Sequence, residues 1–143
     1  MAEFRDSEQL YRCLGALFEK LLIHPVVQPK LRASNLVMRF EYKDPDAIIT
    51  ADCSKDYESD AEVGPVFFGD CEIKPTITFR LKSRVAHKFW LGEVNLLIAI
   101  AKRDIVVRGA LHRVLTLLPA ITPAYEIYPK VLEELGEQDL LSG

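Results

Sequence analysis

The 143-residue sequence has no run of about 18 apolar residues, so no helix of it is expected to cross a bilayer. It has three cysteines only, Cys13, Cys53 and Cys71, far apart and odd in number. That argues against a disulfide framework and fits a reduced, cytoplasmic protein. Its three histidines, His24, His87 and His112, lack metal-ligand spacing, and there is no Cys-x-x-Cys pair. Glycine-rich phosphate loops and dinucleotide fingerprints are missing too. The first six residues lack the basic-then-apolar order of a signal peptide, and Leu141-Ser142-Gly143 is not a peroxisomal address. No repeat or low-complexity stretch interrupts the chain. These absences leave no metal, no cofactor and no catalytic constellation to expect. Cys71, beside Gly69-Asp70, is the most plausible exposed thiol, but no base can be placed next to it. Cys53 reads as a small core residue, and His87, one turn from Arg84 and Leu91, as a partly exposed helix residue. The acidic stretch over 54–62 reads as a solvated loop, which cannot desolvate and so tune a general acid.

The composition is that of a globular domain: 49% hydrophobic and 27% charged, with mean hydropathy near zero. At this length one domain with a substantial core is expected. The net charge of −3 conceals a division. Residues 1–73 carry 8 Lys and Arg against 14 Asp and Glu, residues 74–113 carry 9 against 2, and residues 114–143 carry 1 against 5. A solvated helix face explains such a basic segment; so does a surface for an anionic partner such as an anionic membrane. Nucleic acid is not expected, because the aromatics of this segment read as buried rather than as a stacking platform.

Periodicity supplies the elements. Asp6 or Ser7 can cap a helix, with Gln9 completing a capping box, and Leu10, Leu14, Leu17, Phe18, Leu21 and Leu22 form its apolar face until Pro25. Gly15 inside it suggests a close packing contact. Val26 to Leu31 is a linker or a short second helix. Asn35 to Lys43 alternates, with Leu36, Met38, Phe40 and Tyr42 on one side, and Asp44-Pro45-Asp46 turns into a return strand with Ala47, Ile49, Ala51 and Cys53 facing inward. Val66 to Phe68 and Thr76 to Leu81 are two more strands. Ser83 reads as the cap of an apolar helix, Val85 to Leu91, closed by Gly92. Val94 to Ala101, with Val94, Leu97, Ile98 and Ala101 on one face, is apolar nearly all round, which implies deep burial or a second apolar space beside it. Ile105 to Arg108 is a fifth strand ended by Gly109, and Leu111, Val114, Leu115 and Leu118 stripe a further helix. The remainder, from Pro123 to Gly136, reads as a flap or tail.

A hairpin followed by clustered helices gives an α+β domain with helices packed on one face of the sheet. The element order resembles the sterol carrier protein (nonspecific lipid-transfer) domain family. The residues that carry the resemblance are the hairpin Asn35–Cys53, the short strand Val66–Phe68, Pro75-Thr76-Ile77-Thr78-Phe79 leading into a helix, Phe89-Trp90-Leu91-Gly92-Glu93-Val94-Asn95, Ala99 and Ala101, and Asp104-Ile105-Val106-Val107-Arg108-Gly109 before an apolar helix. It covers about residues 6–120 of a single domain and leaves 121–143 as an extension. The resemblance implies a five-stranded, mainly antiparallel sheet with helices packed on one face, and a non-enzymatic protein that binds or transfers a lipid, fatty acid or fatty acyl-CoA in an apolar tunnel between sheet and helices. Candidates to touch such a ligand are Phe79, Phe89, Trp90, Leu97, Ile98, Leu111, Leu115 and Leu118, each of which is also ordinary core material. Arg84, Lys88, Arg108 and Arg113 are candidates for an anionic headgroup. Two departures stand out: Arg103-Asp104 replaces the family's usual glycine before the last strand, and Arg84 and Lys88 stand where an acidic residue is common. The alternative reading is an interaction or oligomerisation module whose tunnel is filled by side chains, with the tail Tyr125 to Leu135 packed on a second copy as a homodimer.

Overall fold

The computed structural model describes residues 3–54 and 66–141. The acidic stretch expected over 54–62 lies, apart from Ser54, outside the described residues. Helices α1 (Ser7–Ile23) and α2 (Val27–Ser34) precede strands β1 (Val37–Lys43), β2 (Ala47–Asp52), β3 (Val66–Phe68) and β4 (Ile77–Lys82). Then follow α3 (Ser83–Trp90), α4 (Leu96–Ala101), β5 (Ile105–Gly109), α5 (Leu111–Leu117), a 3-10 turn (Leu118–Ile121) and α6 (Ala124–Glu134). Asp6 caps α1 by accepting from Gln9 N–H at 2.8 Å, and the Gln9 side chain reaches back to Arg5 N–H, one residue beyond the Asp6 N–H of the expected capping box. Asn35 closes α2 in a left-handed conformation (φ 56°). Ser83 does not cap α3. It is the helix's first residue, and its hydroxyl donates to the Pro45 carbonyl at 2.7 Å, tying α3 to the hairpin turn.

The sheet runs β3-β2-β1-β4-β5 and is antiparallel except where β4 lies parallel to β1. The register aligns Met38 with Ile77, Phe40 with Phe79 and Tyr42 with Leu81, so the alternation of β1 and β4 places one apolar row beneath the helices. The opposite face is polar: Glu41 takes Arg39 and Arg80, each at 2.8 Å, and Arg39 also reaches Asp70 at 3.0 Å. Gly15 marks the close approach its position suggests, since a Cβ there would meet the Phe68 ring at 2.5 Å. Gly109 is more constrained. Its φ is 112°, and a Cβ would collide with the Thr76 carbonyl and stand 2.9 Å from the Ile77 Cα, both on the neighbouring strand's backbone. Gly109→Ala is therefore expected to cost on the order of 2–3 kcal/mol, read as a lower urea midpoint with an unchanged slope.

Residues 121–141 are not a flap. Helix α6 packs along α1, and Ala124, Tyr128, Val131 and Leu132 are buried. The buried Glu137 carboxylate accepts from Gln9 Nε2 at 2.5 Å and Arg12 at 2.7 Å, and Arg12 also donates to the Leu135 carbonyl. Helix α1 thus lies between the sheet and α6. Its buried residues, Leu10, Cys13, Leu14, Gly15, Leu17, Phe18, Leu21 and Leu22, cover more than one face of the helix. The tail that sequence pattern offers to a second copy is used inside the chain.

Candidate functional site

Between the sheet and its helices lies a partly enclosed cavity of about 90 Å³. Met38, Phe40, Tyr42, Ala51, Phe79, Leu81 and Ile105 form its floor from the sheet. Phe18, Leu21 and Leu22 of α1 and Leu31 of α2 form one wall. Ala86, Phe89 and Trp90 of α3, Leu96 of α4, and Val114, Leu117, Leu118 and Ile121 form the other. A run of aromatic contacts holds the floor to both walls. Phe40 stacks between Phe18 and Phe79 at 5.0 Å from each, and Trp90 meets the Phe18 ring edge-on at 5.6 Å.

Among the described residues no charged side chain lines this space, and only Tyr42 and Trp90 of the described lining bear a side-chain nitrogen or oxygen. The Tyr42 hydroxyl is fully buried and has no hydrogen-bond partner among the described residues. Burial, reinforced by Tyr11, pushes its pKa well above the ordinary phenol value, so it keeps its proton.

Of the sequence candidates, Phe79, Phe89, Trp90 and Leu118 line the cavity. Leu97 and Ile98 do not: they are 56% and 55% exposed. The reason is phase. Asn95 caps a helix that begins only at Leu96, its side chain accepting from Ile98 N–H at 3.1 Å, and this turns Leu96 and Ala99 inward. Leu111 and Leu115 are also displaced from the lining by their neighbours Val114 and Leu117, the two buried residues of α5. What the sequence did not single out is the α1 wall and, Phe79 aside, the floor. Their alternation and helical stripe were plain, but a side chain facing a void has the same pattern as one facing its neighbours.

None of the headgroup candidates lines the cavity. Arg84, Lys88 and Arg108 are exposed. Arg113 donates to the Ser34 carbonyl at the end of α2 and so ties α5 to α2.

His87 is not a partly exposed helix residue. It is 2% exposed, with Phe4 edge-on at 5.3 Å. Its Nε2 lies 2.8 Å from the Leu140 carbonyl and its Nδ1 2.7 Å from the Tyr128 hydroxyl. A carbonyl only accepts, so Nε2 carries the proton and donates, and Nδ1 accepts from Tyr128 in the neutral ring. Desolvation is the main force that pulls the imidazole below its ordinary pKa of 6.5, opposed by the Leu140 carbonyl and Glu93 and aided by Lys88. The folded state therefore refuses a proton that the unfolded chain accepts. Stability is at its full value above pH 6.5 and falls as the pH drops below it, by at most about 1.4 kcal/mol per unit. Urea midpoints between pH 7.5 and 5 check this, and His87→Gln should flatten the slope over that window.

The thiols are arranged for packing. Burial pushes Cys13 up to about 11 and Cys53 up to about 12. Cys71 is half-buried and its Sγ lies 3.5 Å from the Thr50 hydroxyl. Among the described residues no three His, Cys, Asp or Glu side chains converge as a metal site. No described helix is long and apolar enough to cross a membrane.

No protein-family model matches the sequence, and no curated protein matches it. Solved structures do. The sterol carrier protein domain 2 of Helicoverpa armigera superposes with a TM-score of 0.66 at 12% identity, over 82% of this chain and 89% of that one. Sterol carrier protein 2 from Yarrowia lipolytica, in its apo form, gives 0.56 at 14% identity over 83% and 87%. The ubiquinone synthesis protein UbiJ-SCP2 gives 0.58 at 17% identity over 85% and 96%. The chain has a sterol-carrier-like α+β fold, with a mixed five-stranded sheet.

Proposed function

We propose that this chain binds a lipid in the cavity between sheet and helices and carries it without altering it chemically. The observation that supports this best is the lining itself: a preformed space walled by hydrocarbon, with no charged side chain among the described residues to orient or activate a substrate. An ionised carboxylate inside would be desolvated without a partner, so an acyl ligand keeps any charged end outside the lining. Partly buried side chains such as Met38, Phe89 and Leu118 line the space, and their movement would widen it for a bulkier ligand. Two fold neighbours are named as sterol carriers and a third as a ubiquinone synthesis protein, and those names agree with a lipid as the class of ligand. The open space speaks against a module whose tunnel is filled by side chains.

Native mass spectrometry of the protein purified from cells tests the reading. The expected result is a one-to-one lipid adduct, or a one-to-one adduct after incubation with a fatty acid. A protein that arrives empty and takes up no acyl chain, alcohol or sterol would refute it.

A further inference from the structure

Leu97 and Ile98 are adjacent large aliphatic side chains, both more than half exposed, on a helix whose inner residue Leu96 lines the cavity. Val106, 43% exposed, lies on β5, the edge strand against which α4 packs. The turn from α4 to β5 begins with the exposed cations Lys102 and Arg103. The Lys102 N–H bonds the Ile98 carbonyl, which fixes this turn directly behind the apolar pair. Arg103 has φ 65°, a left-handed conformation in which glycine is at ease and arginine is uncommon. The stretch 84–113 holds six Lys and Arg against Glu93 and Asp104. Lys88, Lys102, Arg103 and Arg108 form no ion pair among the described residues. Exposed aliphatic tips backed by unpaired cations match the interface of a negatively charged bilayer, where hydrocarbon enters the headgroup boundary and cations meet lipid phosphates and carboxylates.

We propose that the α4 tip, Leu97 and Ile98 with Lys102 and Arg103 behind them, docks on the surface of an anionic lipid bilayer and sets this wall of the cavity against the lipid. The inference goes beyond lipid binding and does not require the cavity to be loaded.

Vesicle co-sedimentation of the full chain tests it, with phosphatidylserine–phosphatidylcholine and pure phosphatidylcholine vesicles as probes. Binding is expected to the anionic vesicles, weakening as salt rises. Leu97→Ser with Ile98→Ser should lower partitioning at least about tenfold. Lys102→Ala and Arg103→Gly should each lower it about fivefold, and glycine suits the backbone at 103. These side chains are exposed, so the variants should keep the parent's melting temperature. Val26→Ser, at an exposed aliphatic residue between α1 and α2, should change nothing. Equal binding by the double-serine variant, an equal loss with Val26→Ser, or no binding to any vesicle overturns the proposal. So does a concentration-dependent dimer in sedimentation that the double-serine variant abolishes, since a second copy would then own this face. Native mass spectra of the same variants separate the two readings. If the docking face is wrong, lipid uptake added without vesicles persists; if the cavity reading is wrong, uptake fails while vesicle binding stands.

Discussion

Ending the chain at Ile121 is expected to unfold the protein rather than to open it. The truncation removes Tyr128, Val131, Leu132 and Leu140, each at most 4% exposed, and uncovers the face of α1 on which α6 packs. At about 1.5–3 kcal/mol for each fully buried large side chain, the loss is on the order of 6–12 kcal/mol, comparable with the whole stability of a domain. Two polar losses add to it. His87 is left without Tyr128 and the Leu140 carbonyl, and Gln9 and Arg12 lose Glu137. Circular dichroism and proton NMR of the truncated chain should show lost cooperativity and collapsed dispersion. The milder Leu132→Ala should cost about 2–5 kcal/mol by denaturant titration. A truncated chain that melts like the parent would mean that the extension is an accessory after all.

Filling the cavity should abolish ligand uptake and spare the fold. Ala51 on β2 and Ala86 on α3 both line the space. Ala51→Leu and Ala86→Leu each add three carbons, and together they occupy the room a chain would use. Placing carbon in an existing void restores dispersion contacts, whereas the same change in a close-packed core strains it. Stability should therefore stay within about 1–2 kcal/mol of the parent, while acyl-chain uptake falls at least about tenfold. If the double variant still loads normally, the ligand sits elsewhere. If it collapses, the space between the helices and the sheet is smaller than described.

The particulars show where sequence pattern carries and where it stops. The hairpin β1–β2, the apolar stripe of α1, the tight approach at Gly15 and the left-handed stop at Gly92 all follow from local chemistry, and the structure has them. Pairing β1 with β4 in parallel depends on residues nearly forty positions apart, and no local signal encodes it. The phase of α4 was misjudged because a helix of six residues offers too few positions for its period to show a face, and the cap at Asn95 decides it. His87 reads from sequence as a partly exposed helix residue because its partners, Tyr128 and Leu140, lie in the segment that the family resemblance leaves out. The expectation of an apolar space between sheet and helices comes from that resemblance. The residues alone could not separate a void from a core, and four of the eight candidates proved to line it because large apolar residues near the helix α3 have only two places to go.

The sequence holds a single tryptophan, Trp90, and it lines the cavity. Titrating the protein with a fatty acid brominated along its chain, beside the unbrominated acid, therefore reads occupancy of the site itself. The account predicts strong quenching of Trp90 that saturates at one chain per protein and disappears in the Ala51→Leu, Ala86→Leu variant. Undiminished Trp90 emission at saturating brominated acid, or quenching that never saturates, would contradict it.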